Sequence, residues 1–163
     1  MTSLALQDLL RGRGAHVDPV ACLTGLSAAE AGRSLAPNLH TIWQLVWHMN
    51  YWMDYELRSI DGPEVPYPEH AEESWPGGTA PADEATWRLE LTLFEKQVER
   101  LAGWAGHAAV GGLGSRVVHR AKGESLETVL WQMVAHNSYH IGQVAQLRRA
   151  FGLWPPAGGG DSW

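Results

Sequence analysis

Apolar residues recur along this chain at helical spacing, in segments divided by glycine and proline. Leu6, Leu9 and Leu10 predict a first helix from Ser3 to about Arg13, with Gly12 and Gly14 marking its end. Ser27-Ala28-Ala29-Glu30 has a hydroxyl followed three residues later by a glutamate, a capping-box pattern for a short helix reaching about Arg33. Thr41-Ile42-Trp43-Gln44 repeats the pattern and opens a longer helix to about Ile60, where Asp61-Gly62-Pro63 stops it. A third long helix is predicted from Asp83 to Leu101. Its Trp87, Leu91, Phe94, Val98 and Leu101 follow at intervals of four and three, the stripe of a helix packed in a bundle, and Gly103 and Gly106 close it. The last helix is predicted from Ser125 to Phe151, with Gly152 as the residue past its end and Pro155-Pro156 forbidding continuation.

The connections are long. Residues 62–82 carry five prolines from Pro63 to Pro81 and the pair Gly77-Gly78. An ordered connection of this length is unusual and often functional. We read it as a crossover that covers the mouth of a site, with Trp75 as its anchor, against the alternative of a plain linker. Ala108 to Gly123 is glycine-rich and briefly β-like at Arg116-Val117-Val118-His119. Gly111-Gly112-Leu113-Gly114 lacks the lysine and hydroxyl that follow a phosphate loop.

Composition narrows the function. The 163 residues fit one domain over 1–163, and 45% hydrophobic against 18% charged residues fits a globular chain. A formal charge of −6 argues against nucleic acid or an acidic membrane surface as partner. Arg148-Arg149 suits the negative end of the last helix. The single cysteine, Cys22, excludes an internal disulfide and is read as a plain thiol; with no visible signal peptide, a cytoplasmic setting is expected. No apolar stretch approaches membrane-spanning length.

The chemistry lies in the histidines. His136 and His140 stand four residues apart in the last helix, so their side chains lie about 6 Å apart along one face. That face also carries Val129, Gln132, Met133, Gln143, Val144 and Leu147, and should be turned inward. Two inward imidazoles without partners would each cost free energy, and one shared metal ion satisfies both. His48 is the best third donor, on a helix face with Thr41, Leu45, Trp52, Tyr55 and Ser59. Borderline ions such as zinc and nickel accept neutral imidazole, and three protein donors leave a position for water or substrate. Asn137 follows His136 where a protease zinc motif has glutamate, and the Glu-x-x-His pairs of di-iron bundles are missing. His40 lies too far from His48 to share its ion, and His16, His70, His107 and His119 fall in loops without ligand spacing; all five are read as structural or exposed. Nine tryptophans suit a helical core, or an aromatic-lined pocket where they share the histidine face.

These residues resemble a known family. Trp43-Gln44-Leu45-Val46-Trp47-His48-Met49-Asn50-Tyr51-Trp52 is similar to the first motif of the DinB-like superfamily. Ala135-His136-Asn137-Ser138-Tyr139-His140-Ile141-Gly142-Gln143, with Leu147-Arg148-Arg149 and Gly152-Leu153-Trp154-Pro155-Pro156, resembles its C-terminal motif. The resemblance covers nearly the whole chain. It implies an all-α, up-up-down-down-like four-helix bundle with long connecting loops, and one divalent ion, zinc or nickel, on His48, His136 and His140. Members include thiol S-transferases and isomerases using bacillithiol or mycothiol, and homodimers are common among them.

The leading expectation is therefore a metalloenzyme acting on a small-molecule substrate with a low-molecular-weight thiol. Trp52, Tyr55, Gln132 and Gln143 are expected around the site. Metal-dependent hydrolysis is the enzymatic alternative, and a stress-response protein that binds metal or ligand without turnover is the non-enzymatic one.

Overall fold

The computed structural model describes residues 3–64, 66–106, 112–120 and 123–160. It is helical, with no strand among the described residues and a single antiparallel bridge between Arg116 and Ser125. Three long helices, α4 (Ile42–Asp61), α5 (Glu84–Gly106) and α6 (Leu126–Ala150), pack with the shorter α1 (Ser3–Leu10). The small helices α2 (Pro19–Leu23) and α3 (Ala28–Ala31) lie in the connection from α1 to α4. Helices α4 and α1 both pack on α5 and on α6, so the four form a ring in the order α1, α5, α4, α6.

The starts of these helices are set by local chemistry. Ser27 and Thr41 each accept from the backbone N–H three residues on, while Glu30 and Gln44 reach back to the cap N–H, so both capping boxes form. Ser125 caps α6 by accepting from the Thr128 N–H. At the far end Gly152 has φ +72°, and the N–H groups of Leu153 and Gly152 bond back to the carbonyls of Arg148 and Arg149, closing α6.

Several boundaries differ from those the sequence predicts. Helix α1 ends at Leu10 because the chain turns through Gly12 and Gly14, both at positive φ. Helix α2 is not foreseen by hydrophobic spacing; Asp18 caps it by accepting from Val20 and Ala21, and Pro19 opens it. Helix α3 stops at Ala31, two residues short of Arg33. Helix α5 does not stop at Gly103. It continues to Gly106 because Leu101 and Ala105 are fully buried and Gln7 on α1 donates to the Ala102 carbonyl at 2.9 Å. Such contacts outweigh the roughly 1 kcal/mol that a glycine costs inside a helix.

The core fills the ring with Leu6 of α1, Met49, Met53 and Leu57 of α4, Phe94 and Val98 of α5, and Val129, Leu130, Ile141 and Val144 of α6. Trp87 is fully buried and donates its indole N–H to the Leu26 carbonyl at 2.7 Å, which fixes the α1–α4 connection against α5. Cys22 is buried, and burial pushes its thiol up to about 11, leaving it inert as a nucleophile. Arg148 lies in the last turn of α6, as expected, and is buried there; it donates to the carbonyls of Cys22, Thr24 and Leu153. Arg149 instead packs over Trp154. Among the described residues no helix is long and apolar enough to cross a membrane.

The 62–82 connection contains one 3₁₀ turn, Ala71–Ser74, and returns along α4. Thr41 donates its hydroxyl to the Thr79 carbonyl at 2.7 Å, so the residue that caps α4 fastens the end of this strap.

Candidate metal centre

Helix α4 presents His48 and the adjoining α6 presents His136 and His140, one turn apart. The three imidazoles meet, with ring centroids 5.1 Å (His48–His136), 4.9 Å (His48–His140) and 4.6 Å (His136–His140) apart. One nitrogen from each lies within 4.8 Å of the others. His48 and His140 are buried and His136 is half-buried. The i, i+4 spacing and the inward stripe thus bring together the residues they single out.

Each ring is held by its other nitrogen. The His48 Nδ1–H donates to the Ser74 carbonyl at 2.8 Å, the His140 Nδ1–H to Gln143 Oε1 at 2.7 Å, and the His136 Nδ1 faces Asn137 Oδ1 at 3.3 Å. That leaves the Nε2 atoms as lone-pair donors. His48 Nε2 and His136 Nε2 are 3.2 Å apart, a separation served either by one N–H between them or by a cation that both lone pairs share. Tetrahedral metal–nitrogen bonds of about 2.0–2.1 Å give a nitrogen–nitrogen edge of roughly 3.3–3.4 Å, close to this separation. The residues present therefore fit a divalent ion.

Electrostatics favour the ligand form. Burial lowers His48 to about 4, helped by the nearby His136 and His140 and opposed by the Ser74 hydrogen bond. Burial and His140 lower His136 to about 4 against the pull of Asn137. His140 is lowered by burial and partly restored by Gln143. All three are neutral at pH near 7, as imidazole ligands must be.

Trp75 does anchor the long connection, and at the site itself. Its indole is stacked between the His48 and His40 rings, 3.8 Å from each centroid and within 8° of parallel. His40 is exposed and holds no position in the cluster. His16 is structural, its ring nitrogens 2.8 Å from the Val17 carbonyl and 2.8 Å from Ser138 Oγ. His70 is exposed and His119 is half-buried, while His107 lies outside the described residues.

The expected neighbours divide. Trp52 meets His48 edge-on at 6.4 Å and packs on Tyr55 at 5.6 Å; Tyr67 closes on both, at 5.6 and 5.8 Å. Gln143 holds His140. Gln132 is exposed, and its Oε1 accepts from Arg120 at 3.2 Å instead of reaching the histidines. Arg120 also donates to the buried Glu56 and lies over the Tyr55 ring at 5.5 Å. Burial raises the Glu56 carboxyl to about 7 although Arg120 opposes the shift. Sequence reading misses Ser74, Tyr67, Glu56 and Arg120. Ser74 acts through its backbone, and Arg120 reaches α4 from a loop with no periodicity to mark it.

No curated protein and no solved structure shows significant similarity to the chain. A family model described as mycothiol-S-transferase matches residues 5–151, a span that includes all three histidines and their supporting residues. The chain belongs to this mycothiol-S-transferase family, a DinB-like family.

Proposed function

We propose that His48, His136 and His140 hold one divalent ion, zinc or nickel, and that the protein transfers a low-molecular-weight thiol of the mycothiol type to an electrophilic small molecule. The observation that carries the metal is the convergence of three imidazoles, one ring nitrogen of each within 4.8 Å of the others, whose Nδ1 atoms each face an oxygen of the chain. The family supplies the thiol. Held by these three histidines, a divalent ion would supply positive charge that lowers a thiol's pKa and keeps its sulfur nucleophilic at neutral pH. In the net reaction a sulfur–carbon bond forms as the bond from carbon to the leaving group breaks, and the thiol proton departs to solvent or with the leaving group.

The chain's own residues orient the donors. The Ser74 carbonyl, Asn137 and Gln143 set the ring tautomers. Trp52, Tyr55 and Tyr67 form an aromatic wall beside His48. Gln132 acts on that wall at one remove, by steadying Arg120 over Tyr55. The test is metal analysis by mass spectrometry of the purified protein beside His136→Ala, followed by thiol-dependent consumption of a model electrophile. We expect near one equivalent of metal, lost in the variant with helicity retained, and a rate above the thiol-only background. Full occupancy in His136→Ala would sink the ligand set. Occupancy without any thiol-dependent rate would leave a metal-binding protein that does not catalyse transfer.

A further inference from the structure

A cavity of about 600 Å³ opens beside the metal centre, between α6 and the segment leading into α4. Its walls are mostly apolar: Leu35, Leu39, Leu45 and Leu147, with Tyr139 across from them. Leu35, Leu39 and Tyr139 are exposed at 50, 48 and 66%, so apolar surface continues to the rim. The polar groups are the amides of Asn38, Gln143 and Gln146 and the His40 ring; among the described residues no Asp, Glu, Lys or Arg lines it. Its volume is in the range of small-molecule sites, which combine an apolar lining with a few placed hydrogen-bonding groups.

Gly142 shapes this space. Glycine is an unfavourable choice inside a helix. A Cβ at Gly142 would meet nothing within 4 Å, so no neighbour requires the missing side chain. What its absence leaves is room at the cavity wall. Two contacts join the cavity to the histidines: Gln143 through the His140 Nδ1–H, and His40 through the Trp75 stack on His48.

We propose that this cavity binds an uncharged, predominantly apolar small molecule, at a site separated from the three histidines by Gln143 and His40. A charged ligand would leave water without an ion-pair partner here, whereas a neutral one gains the leucine and tyrosine contacts and finds amides for a hydroxyl or carbonyl.

Calorimetric titration of the full chain, metal-free and metal-loaded, with naphthylmethanol and with naphthoate tests it. The two probes share one ring system and differ in charge. We expect saturable binding of the alcohol in both preparations and binding of naphthoate weaker by about tenfold or more. Gly142→Phe, which fills the space, and Leu39→Asp, which charges the exposed rim, should each weaken the alcohol by about tenfold or more. Absence of saturable alcohol binding, equal binding of the two probes, or unchanged affinity in both variants would overturn the site. So would a dimer that Leu39→Asp converts to monomer together with no alcohol binding, which would make this face a contact between copies. Failure of the metal or thiol chemistry would leave the metal-free titration intact.

Discussion

Replacing Gln143 by leucine keeps the side-chain volume and removes the acceptor for the His140 Nδ1–H, now met at 2.7 Å. Leaving a buried donor unmet costs about 1–3 kcal/mol, but that cost falls on the metal-free and metal-loaded protein alike. Only the difference between the two states reaches the affinity. A cation on Nε2 makes the Nδ1–H more acidic, and charge-assisted hydrogen bonds are roughly twice as strong as neutral ones. The loss is therefore larger with metal bound. Removing such supporting partners weakens metal binding by about 10–100-fold, or about 1.4–2.7 kcal/mol. The sign agrees with the titration of the ring: Gln143 raises the His140 pKa, so its removal makes His140 a weaker base and a weaker donor. Competition for zinc against a chromogenic chelator at neutral pH measures the change. Gln143→Glu restores an acceptor and should keep wild-type affinity or exceed it. Gln143→Leu within about twofold of wild type, or Gln143→Glu as weak as leucine, would refute the reasoning.

Trp75→Ala should release metal to chelator up to about tenfold faster and expose residues 62–82 to protease, with Trp75→Phe restoring most of the protection, because an aromatic stack contributes about 0.5–1.5 kcal/mol beyond its area. Equal release from all three proteins would mean that the stack does not brace His48. Metal-free protein should lose stability as pH falls from about 6.5 towards 4: His48 and His136 have lowered folded pKa values of about 4, so the unfolded chain binds more protons across that window. The effect is at most about 3 kcal/mol per ring, read as a falling denaturant midpoint; a midpoint that does not change between wild type and His48→Ala across the window would contradict it. Arg120→Ala should leave the buried Glu56 without its cation; at pH 7 that carboxyl, already raised to about 7, takes up a proton, so the loss is about 1–3 kcal/mol and grows as pH rises, and Glu56→Leu with Arg120→Met should recover most of it in thermal unfolding. No greater loss in the single variant than in the double one would show that the pair is not held as a unit.

Much of the site was legible because its determinants are local. The spacing from His136 to His140 alone places two donors on one face, and Thr41 with Gln44 starts α4 in the register that turns His48 inward. Trp75 stood out as the large apolar residue of the 62–82 connection. What was not legible acts across distance. The Ser74 carbonyl carries no side-chain signature and meets His48 across 26 residues, and Arg120 finds Glu56 across 64. Helix α2 has five residues, too few for periodicity, so only its Asp18-Pro19 start could have announced it. Gly103 misleads as a stop because the burial of Leu101 and Ala105 that overrides it is tertiary. Gln132 shares the inward stripe only at its edge: at about 100° per residue it lies roughly 80° from His140, far enough to face Arg120 and solvent.

The proposed donors come from two widely separated parts of the chain, with His48 preceding His136 by 88 residues. At synthesis rates of about 5–20 residues per second, His48 waits some 4–18 s before either companion exists, and longer for α6 to dock. A single imidazole is a poor competitor for zinc or nickel in that interval. The nascent chain is thereby kept from taking up an ion in the wrong geometry, and metallation becomes a mark of a finished protein.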